Sequence, residues 1–398
     1  MSNTLLITNI RPMGGAAADM LIEDGRISRV EPAISMADVP VEDGSGHIAI
    51  PGLVEAHTHL DKSLLGMDWY RNEVGPALLD KIENERDAKA TLGIDPARQS
   101  MRQSLQSVAS GTTHIRSHVD VDTVHGLAGI EGVMRTREAL RDIVDIEIAA
   151  FPQSGLLTRE GTVDLMREAL EMGAEVVGGL DPCGIDHDPK GHLDAIFGLA
   201  DRFGRPLDIH LHESGELGAF SMDLILERTK ALGLQGRVTI SHAFCLGMPD
   251  QEAVGRLIEE LAALSVHIIT TGPAARPAPP VAKLRQAGIV VGAGNDGFRD
   301  TWGPYGNGDM LERAMFVGLR NNFRRDDEVA AALDVCTFGG ARIMELDGYG
   351  LSPGCHADLV LVEGRTLAEA VVSHAPRPLV VKRGRVVARG GKSLQAAP

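Results

Sequence analysis

Short runs of β-branched and apolar residues recur along the middle of the chain. Stretches with apolar positions at helical spacing fill most of the gaps between them. The runs Ala49–Ala56, Thr112–His118, Asp145–Pro152, Glu175–Leu180, Pro206–Leu211, Arg237–Ser241, Val266–Thr271 and Ile289–Ala293 read as eight strands. Leu165–Glu171 and Asp250–Leu264 carry helical patterns in two of the gaps. Strands that alternate with helices build parallel βαβ units, and eight such units over roughly 250 residues make a (β/α)8 TIM-like barrel of the α/β class. A doubly wound open sheet is the rival. It is weakened because no GxGxxG follows a strand with an acid about 20 residues on.

The two ends read differently. Residues 4–33 are strand-like with tight turns, and Asp24-Gly25 between two apolar runs is a hairpin signal. His356–Val362 and Leu379–Ala388 repeat the style, the second with a turn at Arg383-Gly384. Chain termini often lie close together. Residues 1–50 and 346–398 are therefore expected to join as one small β-sandwich, leaving 51–345 as the barrel.

Composition narrows the function classes. Hydrophobic residues make up 43 % and charged residues 24 % of the 398, enough for a sizeable core. The net charge is −16 with no basic run, which argues against a nucleic-acid or anionic-membrane partner. Cys183, Cys245, Cys336 and Cys355 are scattered without a CxxC, so neither a disulfide scaffold nor a structural zinc knuckle is indicated. No apolar run reaches the length of a membrane span and the N-terminus lacks a signal-peptide pattern, so a cytoplasmic protein is expected.

The chemistry gathers at the strand ends. In Pro51-Gly-Leu-Val-Glu-Ala-His57-Thr-His59, the period of two turns both imidazoles to one side. Alone, HxH is a weak signal. His210 closes the fifth run, His242 the sixth, and Asp296 follows the eighth. In a barrel these ends meet at one mouth, where catalytic groups collect. His57, His59, His210 and Asp296 then form a three-nitrogen, one-oxygen set suited to Zn²⁺ or Fe²⁺. His212 shares a face with His210 and competes with it as a ligand. Glu213, just beyond the fifth strand, can carry a proton between water and a leaving group without touching the metal.

These residues resemble the amidohydrolase superfamily, and within it the cytosine deaminase-like branch. The resemblance covers most of the chain. It rests on Pro51–Asp61, His114-Ile-Arg-Ser-His118-Val-Asp120, Phe151-Pro-Gln153, His210-Leu-His-Glu213, Ser241-His242, Asn295-Asp296, Trp302-Gly-Pro304 and Gly354–Asp358. The Phe-Pro-Gln and Trp-Gly-Pro stretches are the specific ones; HxH is shared by many hydrolases. The resemblance implies one divalent metal and hydrolytic removal of an exocyclic amino group, as ammonia, from a small nitrogen heterocycle such as a pyrimidine, triazine or pterin. It selects His210 over His212 as ligand and makes Glu213 the proton shuttle. It has His242 position the attacking water, and Gln153 and Trp302 hold the ring. Asp296 is both ligand and proton acceptor. No lysine follows the fourth strand, so a two-metal site bridged by a modified lysine is not expected. The partner is a small molecule, and a homo-oligomer is expected.

Two alternatives stand beside this reading. One is an amidohydrolase that cleaves an N-alkyl amine or a cyclic amide. The other, of a different class, is a non-catalytic binding or scaffold relative. In the branch, a second aspartate commonly follows the metal aspartate and contacts substrate; here that position is Gly297. The expectation is open space beside the metal and a poor fit for cytosine, with Arg299 a candidate cation for another ligand. His118 matches the pattern without an assigned role.

Overall fold

Each of the eight central runs forms a parallel strand, because β-branched residues with both faces covered satisfy a sheet wrapped in helices. In the computed structural model these strands are Leu53–Thr58, Thr112–Asp120, Asp145–Phe151, Val176–Leu180, Leu207–His210, Val238–Ser241, His267–Thr270 and Val291–Ala293. They pair in chain order as one eight-stranded sheet. A parallel bridge between Thr58 and Asp296 brings the end of the first strand to the segment after the last. Thr112–Asp120 is buried along its whole length. The structure describes residues 4–397; residues 1–3 and Pro398, assigned above to the terminal β domain, lie outside the described residues.

Helices pack outside the sheet with polar caps where the sequence supplies them. Asp250 accepts from the amides of Glu252 and Ala253 and starts the helix Gln251–Ala263. The pattern Leu165–Glu171 lies inside the helix Thr162–Met172.

The first run is the one that divides. Ile48–Pro51 pairs antiparallel with Leu359–Val362, whereas Leu53–Thr58 starts the barrel. The exchange takes one residue: Gly52 N donates to Asp358 O (2.9 Å) and Leu53 N to Gly111 O (3.0 Å). Periodicity alone reads the run as one strand; the Pro51-Gly52 pair is the mark of the break.

Strands from both ends form a separate nine-stranded sheet, with Leu359–Val362 joined to Ile48–Pro51 at the seam. Leu5, Ile7 and Ile10 share a buried cluster with Leu359, Leu361 and Val381. The hairpin turn at Asp24-Gly25 has both residues at positive φ (49° and 79°), as does Arg383-Gly384 (45° and 73°). Lys382 is buried and donates to Asp145 (2.8 Å), at the start of the third barrel strand, and to Asp358 (2.9 Å). That cluster ties the terminal sheet to the end of the barrel away from the histidines.

Candidate metal centre and its pocket

One nitrogen from each of His57, His59 and His210 and one carboxylate oxygen of Asp296 lie within 4.8 Å of one another. The closing of the sheet brings them together. Asp296 N donates to His57 O (2.9 Å), and Thr58 Oγ1 donates to Asp296 O (2.8 Å). Gly294 permits this approach, since a Cβ there would lie 2.6 Å from the Cβ of His57. Asp181, His242 and Asp296, just past the ends of the fourth, sixth and eighth strands, all have positive φ (33°, 69° and 64°). Non-glycine residues pay for that conformation, and such residues cluster at functional sites.

Whether these residues fit a metal is decided by where the imidazole protons are. Ser241 Oγ lies 2.6 Å from Asp208 Oδ1 and 2.8 Å from His57 Nδ1. Burial pushes Asp208 up, but His118 and Arg116 outweigh it and hold the carboxyl well below the usual range, so it only accepts. Ser241 must give its single proton to Asp208 and accept from His57 Nδ1–H. His57 Nε2 is then a bare lone pair, buried and without a hydrogen-bond partner among the described residues. Both nitrogens of His210 and of His242 are likewise buried and unpartnered among the described residues. Burial, joined by neighbouring charge, lowers His59 to about 3 and holds His210 and His242 well below their ordinary value. Asp296, despite its burial, is held well below the carboxylate range by the imidazoles around it, with His59 Nε2 3.1 Å from its Oδ1. Neutral imidazole nitrogens converging on an ionised carboxylate are a donor set for a divalent cation.

His212 stands outside the group of four, with Nδ1 2.7 Å from Asp181 Oδ2 and its ring 4.2 Å from that of His242. His118 is fully buried, 4.3 Å from the His57 ring and 3.5 Å from Asp208 Oδ2, and supports the set from behind. His210 stacks on Phe151 at 4.0 Å. Glu213 is buried; its Oε1 accepts from the amides of Cys183 (2.9 Å) and Gly184 (2.7 Å), and its Oε2 from Ser221. Burial raises its pKa against those donors.

Two chambers open at this mouth. A polar one of about 210 Å³ is lined by His59, Lys62, Gln153, Asp300, Trp302 and Tyr305, among others. A larger one of about 390 Å³ has an apolar side of Pro76, Leu78, Phe244, Pro273 and Trp302 and a charged side that includes Lys81, Asp181, Glu213, His242 and Arg276. His212, Asp296 and Trp302 border both. Gln153 Oε1 accepts from Lys62 Nζ (2.6 Å), which leaves its amide N–H groups for the cavity. The Trp302 indole N–H donates to Glu85.

Lys62, Asp181 and Asp300 have no role in the sequence reading. All three follow barrel strands, and that position is the signal that would have found them. Lys62 is 3 % exposed and sits between Asp120 (3.2 Å) and Glu85 (3.2 Å), a pairing that no linear pattern reveals. Gly297 lines the 210 Å³ chamber beside His59, His210 and Asp296, as expected, but the place of a Cβ on it is taken by the carboxylate of Asp300. One expectation is corrected. Arg299 is directed elsewhere: its guanidinium lies 6.0 Å from the centre of the Trp69 ring and borders a separate small cavity.

Residues 41–388 match the model of the Amidohydrolase family. The chain is 32 % identical to N-isopropylammelide isopropyl amidohydrolase of Pseudomonas sp. (strain ADP), over 93 % of each chain. It superposes on the crystal structure of N-isopropylammelide isopropylaminohydrolase from Burkholderia multivorans ATCC 17616 with a TM-score of 0.95 and 52 % identity, covering 98 % of this chain and all of that one. The 5-methylcytosine deaminase of Klebsiella pneumoniae, solved with 5-fluorocytosine, aligns over 99 % of both chains at TM-score 0.87 and 28 % identity. No helix among the described residues is long and apolar enough to cross a membrane.

Proposed function

The chain belongs to the amidohydrolase family, whose named relatives hydrolyse carbon–nitrogen bonds, and from that premise we propose that it cleaves an exocyclic alkylamine from a ring carbon of a small hydroxylated diazine or triazine. The observation that carries this reading is the pair of chambers sharing Asp296 and Trp302. The polar chamber suits a flat ring edged with oxygen and nitrogen. The larger chamber exceeds what an amino group needs, and its apolar side of Pro76, Leu78, Phe244 and Pro273 suits an alkyl substituent. The 52 % identity to a protein named as an isopropylaminohydrolase supports the same choice. Release of ammonia, put first by the sequence reading, is the second reading, favoured by the likeness to 5-methylcytosine deaminase.

In this account His57, His59, His210 and Asp296 hold one divalent ion, zinc or iron, which when bound lowers the pKa of water from near 16 towards roughly 7. The barrel, residues 51–345, carries the site, and the terminal strands brace it. Asp296 accepts a proton from the attacking water, and His242 orients that water. Its oxygen bonds to the ring carbon. Protonated Glu213 delivers its proton to the adjacent ring nitrogen, Asp296 passes the proton it took from water to the exocyclic nitrogen as the C–N bond breaks, and the proton of the new ring hydroxyl returns to Glu213 as the ring carbonyl forms. Gln153 donates to the ring edge, and Trp302 covers the ring where the chambers join.

An apolar pocket gains roughly 10- to 200-fold per methylene it accepts. The metal-replete protein should therefore show kcat/KM at least ~10-fold higher for an N-alkylamino-hydroxytriazine than for its unsubstituted amino analogue or for cytosine. Cytosine as the best substrate in an amine-release screen would remove the alkyl reading.

A further inference from the structure

Gly297 and Asp300 compete for one place. Asp300 is buried and lines the polar chamber beside His59, Lys62 and Gln153. Its Oδ1 accepts from the amides of Trp302 (2.8 Å) and Gly303 (3.1 Å), which fixes the turn that carries Trp302. Its Oδ2 reaches back over Gly297: a Cβ on Gly297 would overlap Oδ2 and lie 3.1 Å from Cγ. Gly297 does not have a positive φ, so the backbone there would accept another residue; the carboxylate of Asp300 is what excludes one. Oδ2 has no hydrogen-bond partner among the described residues. The nearby cations are engaged elsewhere, Lys62 with Asp120, Glu85 and Gln153, and Arg299 over Trp69.

A carboxylate oxygen on a cavity wall with no protein donor is met by water when the cavity is empty and by a ligand's donor when it is filled. We propose that Asp300 is the residue that reads the substrate ring. Its Oδ2 accepts a ring N–H, and so selects rings in a lactam or imide form over rings whose nitrogens are all aromatic or alkylated. Asp300 acts from the place that a side chain at position 297 would otherwise fill. The inference deepens the function proposed above and rests on it for the substrate class.

Asp300→Asn tests this without disturbing the turn. Asparagine keeps an oxygen for the amides of Trp302 and Gly303 and replaces the accepting Oδ2 with a donor. Binding of uracil and of 1,3-dimethyluracil, neither of which carries an exocyclic amine, is measured by calorimetry on metal-loaded wild type and variant. A retained unfolding midpoint shows that the variant is folded. The expected result is that wild type prefers uracil and that Asp300→Asn weakens uracil binding by roughly 10- to 100-fold. The dimethyl compound is expected to bind both proteins alike. Equal losses for both ligands, no loss for either, or a wild type without preference for uracil would overturn the inference. Absence of amine release by wild type would instead overturn the proposed function, and the uracil comparison would still judge Asp300.

Discussion

Ser241 has one hydroxyl proton, and its destination decides what His57 can do. Because Asp208 takes it, His57 is held as the tautomer with a bare Nε2. Partners of this kind typically contribute 10- to 100-fold to metal affinity. Ser241→Ala should therefore weaken metal binding by about that factor in a chelator competition, with the fold retained. His210→Ala should remove the metal altogether, whereas His212→Ala should keep it, since His212 is turned to Asp181. Elemental analysis of the two purified variants decides this, and the reverse result would exchange the two histidines. Glu213→Gln keeps the size and the contacts of its neighbours but carries no proton. It should retain metal and lose on the order of 10²-fold in kcat, and near-normal turnover would remove Glu213 from the mechanism. At this scale the cluster of His57, His59, His210 and Asp296 was readable from the chain, because each stands at or just past a strand end and histidine there is conspicuous. Lys62 and Asp181 were not, because their meaning lies in partners 58 and 31 positions away, and Asp300 was not, because its meaning lies in the chamber it lines.

Among the elements, the eight barrel strands were legible because short runs rich in β-branched and apolar residues alternate with helical patterns. The division at Gly52 stayed hidden to periodicity, although Pro51-Gly52 marks it. The cluster of Lys382, Asp145, Asp358 and His114 was equally hidden, since it joins the last strands of the chain to the second and third of the barrel. It has a consequence for stability. Burial pushes Asp145 up, but the hydrogen bond from His114 and the Lys382 ammonium outweigh it and hold its carboxyl below the ordinary value. A carboxylate depressed in the folded state stabilises above its unfolded pKa of about 4, and that stability is lost as pH falls towards the folded value. Asp145→Asn should lower the urea midpoint at neutral pH, and the gap to wild type should shrink at about pH 3 and below. A gap that stays constant from neutral to acid would show that the Asp145 charge does not brace the sheet against the barrel.

For the molecule as a whole, the barrel, the His57, His59, His210 and Asp296 cluster and the hydrolytic class follow from the pattern of strand ends. The proposed leaving group does not, because that proposal rests on two chambers walled by loops far apart in sequence, among them those of Pro76 and Pro273. The central claim is that water attacks a ring carbon at this mouth and expels the amine. It is tested most directly by mass spectrometry of the products that the metal-replete protein forms from an N-alkylamino-hydroxytriazine in ¹⁸O-labelled water. The account predicts equal amounts of free alkylamine and of ring product, with one ¹⁸O atom in the ring product and none in the alkyl fragment. Label in an alkyl alcohol, with the nitrogen left on the ring, or no amine at all, would contradict it.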